Sequence, residues 1–237
     1  MIKSTLLQSE FARRFNRINS GSKRYISPPE VDSFLNEAYL MFFENRASLY
    51  KTSILARKEL GILEEKEVPL TLKKFNDLSV FGEIPENFYK LLRVEVKAKC
   101  LDDCPEIRLK ASEVKNHEIY EALTDVNWTP SYNYAETYFE IAGNKLIVYH
   151  NNVLEITQAN IDYLRKPKPI HTPSLAFNGS YVDGSGNLIS ADSNLEIDDY
   201  RKIVDLAVLI ASRDITDVQE YESQLSKILQ TETIYIQ

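Results

Sequence analysis

The chain has 237 residues, 43% hydrophobic and 27% charged, ordinary globular values that exclude general disorder and collagen-like or coiled-coil composition. A chain of this length buries about 70% of its unfolded surface, so it needs neither disulfides nor a structural metal to fold. Its net charge of −7 disfavours sequence-independent binding to nucleic acid over a broad surface, and its longest apolar run, Leu206 to Ala211, falls far short of the roughly 20 residues of a membrane span.

Leu7, Phe11, Phe15 and Ile18 recur at intervals of four, four and three, which predicts a helix over 4–18 with Ser4 as its N-cap. Asn19-Ser20-Gly21-Ser22 then breaks the pattern as a short joint. Ser27-Pro28-Pro29 opens a second helix, because a first-turn proline has no use for the N–H it lacks. Val31, Phe34, Leu35, Ala38 and Phe42 follow at helical spacing, and Tyr39, Met41 and Phe43 widen the stripe, so this helix is expected to pack on more than one neighbour. A third helix over 52–60 is expected to end with Gly61 as its C-cap.

The period then changes from helical to alternating. Val68-Pro69-Leu70 and the run Leu91 to Ala98 predict strands, with Glu106 to Leu109 pairing back across Asp102-Asp103. Ser112 is expected to start a short helix running to Leu123. Thr137 to Ile141, Ala142-Gly143-Asn144, and Lys145 to Tyr149 predict a hairpin. Ala159 to Arg165 is a further strand, stopped by Lys166-Pro167-Lys168-Pro169 because proline cannot donate to a ladder. Residues 174–192 are polar and glycine-bearing and read as an inserted loop or hairpin.

Tyr200, Ile203, Val204, Ala207, Ile210 and Ala211 form a helical stripe with Leu206, Val208 and Leu209 on the other side, so this helix must be heavily buried. Thr216-Asp217-Val218-Gln219 has the form of a capping box for a last amphipathic helix. Beyond it, Ile234, Tyr235 and Ile236 favour an extended tail. Such a tail adds to a sheet edge, either its own or a neighbouring subunit's. The outline is α+β: N-terminal helices with a basic arm over 1–65, a central antiparallel β region over 66–173, the insertion over 174–192, and a C-terminal helix pair with the tail over 193–237.

Charge is uneven along the chain. Residues 1–30 are net +4, and residues 190–237 are net −6. Arg13, Arg14 and Arg17 are therefore either part of a solvated helix face or an arm for an acidic partner or for phosphates.

Chemistry-bearing motifs are sparse. Cys100 and Cys104 lack a second ligand pair for zinc and are expected to be free thiols in a reducing, cytoplasm-like compartment. MIKSTLLQSEFARRF shows no small-residue cleavage site after an apolar run, so no secretory signal is expected there. His117, His150 and His171 stand apart from one another and from any nucleophile motif. Gly184-Ser185-Gly186 lacks the rest of a phosphate cradle, and Leu188 occupies the glycine position of a calcium loop. No catalytic, cofactor or metal residues are assigned. The fourteen tyrosines are about twice the usual share, and Trp128, Tyr132, Tyr134, Tyr138 and Phe139 cluster near the hairpin. That cluster is either an interface or a core under the sheet.

Three segments together resemble the neck proteins of tailed bacteriophages: VDSFLNEAYLMFFENR; ETYFEIAGNKLIVYHNN with IDYLRKPKPI; and LEIDDYRKIVDLAVLIASRDITDVQEYESQL. The nearest are the head-tail connector and ring proteins of short-tailed phages, of the tail tubular A or gatekeeper-like kind, and the ring proteins of crAss-like phages. The resemblance implies a structural virion protein with no catalytic step and no cofactor. It would be made in the host cytoplasm and assembled as a homo-oligomeric ring of about twelve copies. Its partners would be the portal protein and adjacent neck or tail rings, and its lumen would pass genomic DNA without sequence-specific binding or membrane contact. Candidate contact residues are Arg13, Arg14, Arg17, Trp128, Tyr132, Tyr134, Ile234, Tyr235 and Ile236. Two other readings stay open: a nucleic-acid-binding protein using the basic arm, and an enzyme whose polar pocket assembles from distant residues.

Overall fold

The computed structural model of the chain describes residues 4–18, 26–100, 104–115, 118–125, 129–151, 153–170 and 200–213, with Gln224 and Ile228 beyond them. Helix α1 (Ser4–Ile18) is followed by α2 (Pro28–Leu49), where the Glu30 carboxylate accepts from the Ser27 N–H at 2.7 Å, the reach-back arm of a capping box. The Ser53 hydroxyl accepts from the Ala56 N–H and starts α3 (Ile54–Leu60). Gly61 does not close α3 in left-handed geometry: its φ is −56°, and the chain runs on into a 3₁₀ turn, Gly61–Leu63.

The strands are β1 (Glu64–Leu70), β2 (Leu72–Asn76), β3 (Ser79–Glu83), β4 (Phe88–Cys100) and β5 (Ile107–Glu113), then, after α4 (Ile119–Thr124), β6 (Glu136–Ala142), β7 (Lys145–Tyr149) and β8 (Leu154–Arg165). Helix α5 (Tyr200–Ala211) follows the last strand. The helix expected from Ser112 starts later, because β5 continues through Glu113 before the chain turns. The β2–β3 hairpin is an addition to the predicted elements. The insertion over 174–192 and the tail lie outside the described residues, as does the last amphipathic helix apart from Gln224 and Ile228.

The fold is α+β, in two compact units: 1–62 with 167–237, and 63–166. In the helical unit, Leu7, Phe11 and Phe15 of α1 meet Val31, Leu35, Ala38 and Phe42 of α2 and the buried face of α5 from Ile203 to Ala211. Phe11 stacks on Phe15 at 5.7 Å between ring centroids. The side-chain amide of Asn36 works like a short strand: its Nδ2 donates to the Ile170 carbonyl at 2.8 Å, and its Oδ1 accepts from the Ile170 N–H. That pair pins the returning chain to α2 and sets Ile170 in the core, where it is fully buried.

A buried ion cluster joins three helices of this unit. Arg46 Nε lies 2.7 Å from Glu59 Oε2 of α3, Lys202 of α5 approaches the other Glu59 oxygen at 3.7 Å, and the Arg46 guanidinium stacks over Phe42. Only 4% of the Arg46 side chain is exposed, so the Glu59 carboxylate stands as its counter-charge away from water.

The β unit is one eight-stranded sheet in the order β1-β8-β4-β5-β6-β7-β3-β2. It is mixed rather than purely antiparallel, since β5 and β6 run parallel from Lys110↔Glu136 to Glu113↔Phe139. The 114–135 connection, with α4 in it, is long enough for the crossover that a parallel pair requires. Strands β1 and β2 end opposite sides of the sheet yet are joined by Thr71 alone, so the sheet rolls until its two ends meet. The closure brings Leu70 onto Gly82 of β3, where an added Cβ would fall 2.6 Å from the Leu70 Cβ. Gly143 turns the β6–β7 hairpin at φ 62°, the conformation that glycine supplies without strain. Val94, Val96, Ala98, Leu109, Phe139, Leu146, Val148, Ile156, Ala159 and Ile161 fill the inside.

Cys100 and Cys104 form a disulfide, which corrects the expectation of free thiols. The reversal between β4 and β5 brings their Cα atoms to 5.3 Å, inside the bridging range.

Candidate interaction surface

The arginines of α1 divide. Arg13 donates to Glu10 at 2.6 Å, and Arg14 reaches both Glu10 and the Asp205 carboxylate of α5. These contacts, the Arg13 hydrogen bond first, hold the Glu10 carboxyl below its ordinary pKa. Arg17 is exposed in the last turn of α1, where a cation complements the helix dipole. The positive end of the sequence is therefore partly matched by the acidic one within a single unit.

The aromatic cluster also divides. Phe139 is buried inside the sheet, and Tyr132 packs against that core with its hydroxyl donating to the Pro105 carbonyl at 2.8 Å. Tyr134 points outward and is 80% exposed. Trp128, Ile234, Tyr235 and Ile236 lie outside the described residues.

The outer face of the sheet carries cross-strand ion pairs. Glu95 of β4 takes Arg108 of β5 at 3.2 Å as well as Arg93 of its own strand at 2.9 Å, Lys110 faces Glu136, and Lys99 faces Glu155. Further along, Tyr149 donates to Glu140 at 2.6 Å; burial first, then that carboxylate, push its hydroxyl pKa up, so it remains a donor.

Beside it lies a patch with little sequence signal. Phe81 of β3 is flanked by Lys145 at 4.6 Å and Lys73 at 6.0 Å from its ring centroid, and Phe75 of β2 meets it edge-on at 6.0 Å. Phe75 is 51% exposed. Lys73 pairs with Glu83 and Lys74 with Asp77, and both carboxyls are held below their ordinary pKa by those lysine hydrogen bonds. The one clue in the sequence is Phe75 within a lysine-rich run, and that run lacks the apolar alternation that marks a strand.

No helix among the described residues is long and apolar enough to cross a membrane. The chain matches no protein-family model and no curated protein sequence.

Proposed function

We propose that the chain is a structural subunit of a bacteriophage virion, one copy in a ring of the head-tail connector that links portal to tail and lines the DNA passage. In this reading it performs no catalytic step and holds no cofactor. The observation that carries it is where the three resembling segments fall. The first lies on α2 and the last enters α5, which pack together in the helical unit; ETYFEIAGNKLIVYHNN covers β6 and β7, and IDYLRKPKPI ends β8, all in one sheet. The segments are thus framework elements of both units, as a shared architecture requires. The nucleic-acid reading is weakened by the pairing of Arg13 and Arg14 with Glu10 and Asp205, which phosphates would have to displace. Negative-stain imaging of the parent particle tests the proposal. The expected result is a closed ring of this chain at the neck, and isolated copies or a place on the capsid shell would overturn it.

A further inference from the structure

The Cys100–Cys104 disulfide stands beside the sheet ladders rather than in them. Strand β4 pairs with β5 only from Glu95 to Ala98, and β5 begins at Ile107, so both cysteines lie beyond that pairing. Cys100 is buried and still held on its other side, opposite Leu154 of β8, whereas Cys104 is half-buried and outside any strand. The bridge spans four positions, and cross-links of short loops restrict the unfolded chain least, so its effect on the fold should be local. What it fixes is the entry to β5. The next residue, Pro105, accepts at its carbonyl from the Tyr132 hydroxyl at 2.8 Å, an exposed hydrogen bond that links this entry to the turn at 131–136. That turn is tightly built. Ser131 and Glu136 exchange both backbone hydrogen bonds, the Ala135 N–H donates to the Tyr132 carbonyl at 3.1 Å, and the Lys110 N–H donates to the Ala135 carbonyl at 2.7 Å. Ala135 sits at φ 53°, a conformation that a residue with a Cβ keeps only where its surroundings impose it. Beside it Tyr134 is 80% exposed. Pro105 is held from both sides, by the bridge at Cys104 and by Glu106, whose carboxylate accepts from the Thr157 hydroxyl at 2.6 Å in an exposed contact that water can replace.

We propose that this disulfide is a redox-responsive clasp. Closed, it sets the Pro105 carbonyl against Tyr132 and steadies the turn that carries Tyr134; opened by a small thiol, it releases the turn and leaves the sheet folded. The Cys104 sulfur is the more accessible end of the bridge, since Cys100 is only 6% exposed. A small-molecule thiolate attacks it, the S–S bond breaks, and the electron pair leaves on the Cys100 sulfur, which takes a proton. A second thiolate attacks the external sulfur of the mixed disulfide and frees Cys104, which is protonated in turn. Two external thiols are thereby oxidised to one disulfide while the bridge is reduced to two thiols, and exchange with a small disulfide runs the same steps backwards to close it. None of this requires a second copy of the chain, so it stands apart from the ring reading.

The test places the full chain in glutathione buffers, counts free thiols by maleimide mass shift, and reads single amides by hydrogen exchange in NMR spectra. Reduced glutathione should open the bridge with the circular dichroism spectrum unchanged, and oxidised glutathione should close it again. On opening, exchange at Ala135 and Glu136 should quicken about three- to tenfold, the worth of one hydrogen bond, while Val94 and Val96 of β4 keep their rates. Cys100→Ala/Cys104→Ala should show the opened rates in both buffers. Tyr132→Phe keeps the ring against the core and loses only the hydroxyl, so its turn should exchange at the fast rate whether the bridge is open or closed. A bridge that opens only after unfolding, or that does not close in oxidised glutathione, would overturn the proposal. So would equal turn rates in the two states, or loss of β4 protection on opening, which would make the bridge a staple of the sheet. A Tyr132→Phe chain whose turn still answers to the thiol state would overturn it as well, because the Pro105 contact would then not be the link.

Discussion

At the scale of single residues, Gly82 is the position with least room. It sits in β3 opposite Leu72 and under Leu70, the last residue before the chain passes from one end of the strand order to the other. A methyl group there meets the backbone-proximal part of Leu70, which cannot swing away as a flexible side-chain end would. Gly82→Ala should therefore destabilise the β unit by about 1–3 kcal/mol, the usual range for overpacking. Leu70→Gly in the same chain, which removes the Cβ that this methyl meets, should make the added cost of Gly82→Ala smaller, and a double-mutant cycle of urea midpoints would measure the coupling. Additive effects would mean that the two residues do not meet.

At the scale of elements, the Arg46–Glu59–Lys202 cluster ties α2, α3 and α5 together. Glu59→Gln takes the counter-charge away from a buried guanidinium and should cost on the order of 3 kcal/mol. Arg46→Met/Glu59→Leu, which removes both charges, should restore most of it, since Lys202 is the more exposed partner and can turn to water. Thermal unfolding of both variants reads this, and a double variant no better than the single would show that the cluster does more than balance charge. This cluster was not legible in the sequence. Arg46 follows Phe42 at the helical interval of four, in a position that periodicity reserves for an apolar side chain, and Glu59 stands in a short helix with no stripe to orient it. Elsewhere periodicity sufficed: the Leu7, Phe11, Phe15 and Ile18 spacing returned α1, although Ser4, expected as its N-cap, is itself helical, and the glycine turn returned β6 and β7. Strand β2 escaped because Leu72 alone of its residues packs against the core, while Lys73 to Asn76 are exposed and need no alternation. Order in the sheet, and the parallel β5–β6 pair, depend on which distant strands meet, which a local pattern does not encode. The candidate contacts were legible as residue types only: the sequence marked Tyr132 and Tyr134 alike, and packing sent one to the core and the other to the surface.

At the scale of the molecule, the β unit occupies one continuous stretch, 63–166, and the helical unit is assembled from both flanks. The β unit begins and ends on paired neighbours, with Glu64 opposite Leu164, so its two ends emerge side by side. It also has its own core. A fragment of residues 63–166 should therefore fold alone, with native-like amide-exchange protection in β4 and β8. An unprotected fragment would show that the sheet depends on the helices.

The same arrangement imposes an order on synthesis. The face of α2 that carries Leu35, Ala38 and Phe42 is sealed in part by α5, which the ribosome delivers about 150 residues later, roughly 8–30 s at ordinary elongation rates. The sheet can close during that interval, whereas the first two helices must wait with an apolar seam unsealed. A nascent chain arrested before residue 200 should thus carry a completed β unit beside a sticky helical hairpin, the kind of surface that chaperones hold and proteases sample.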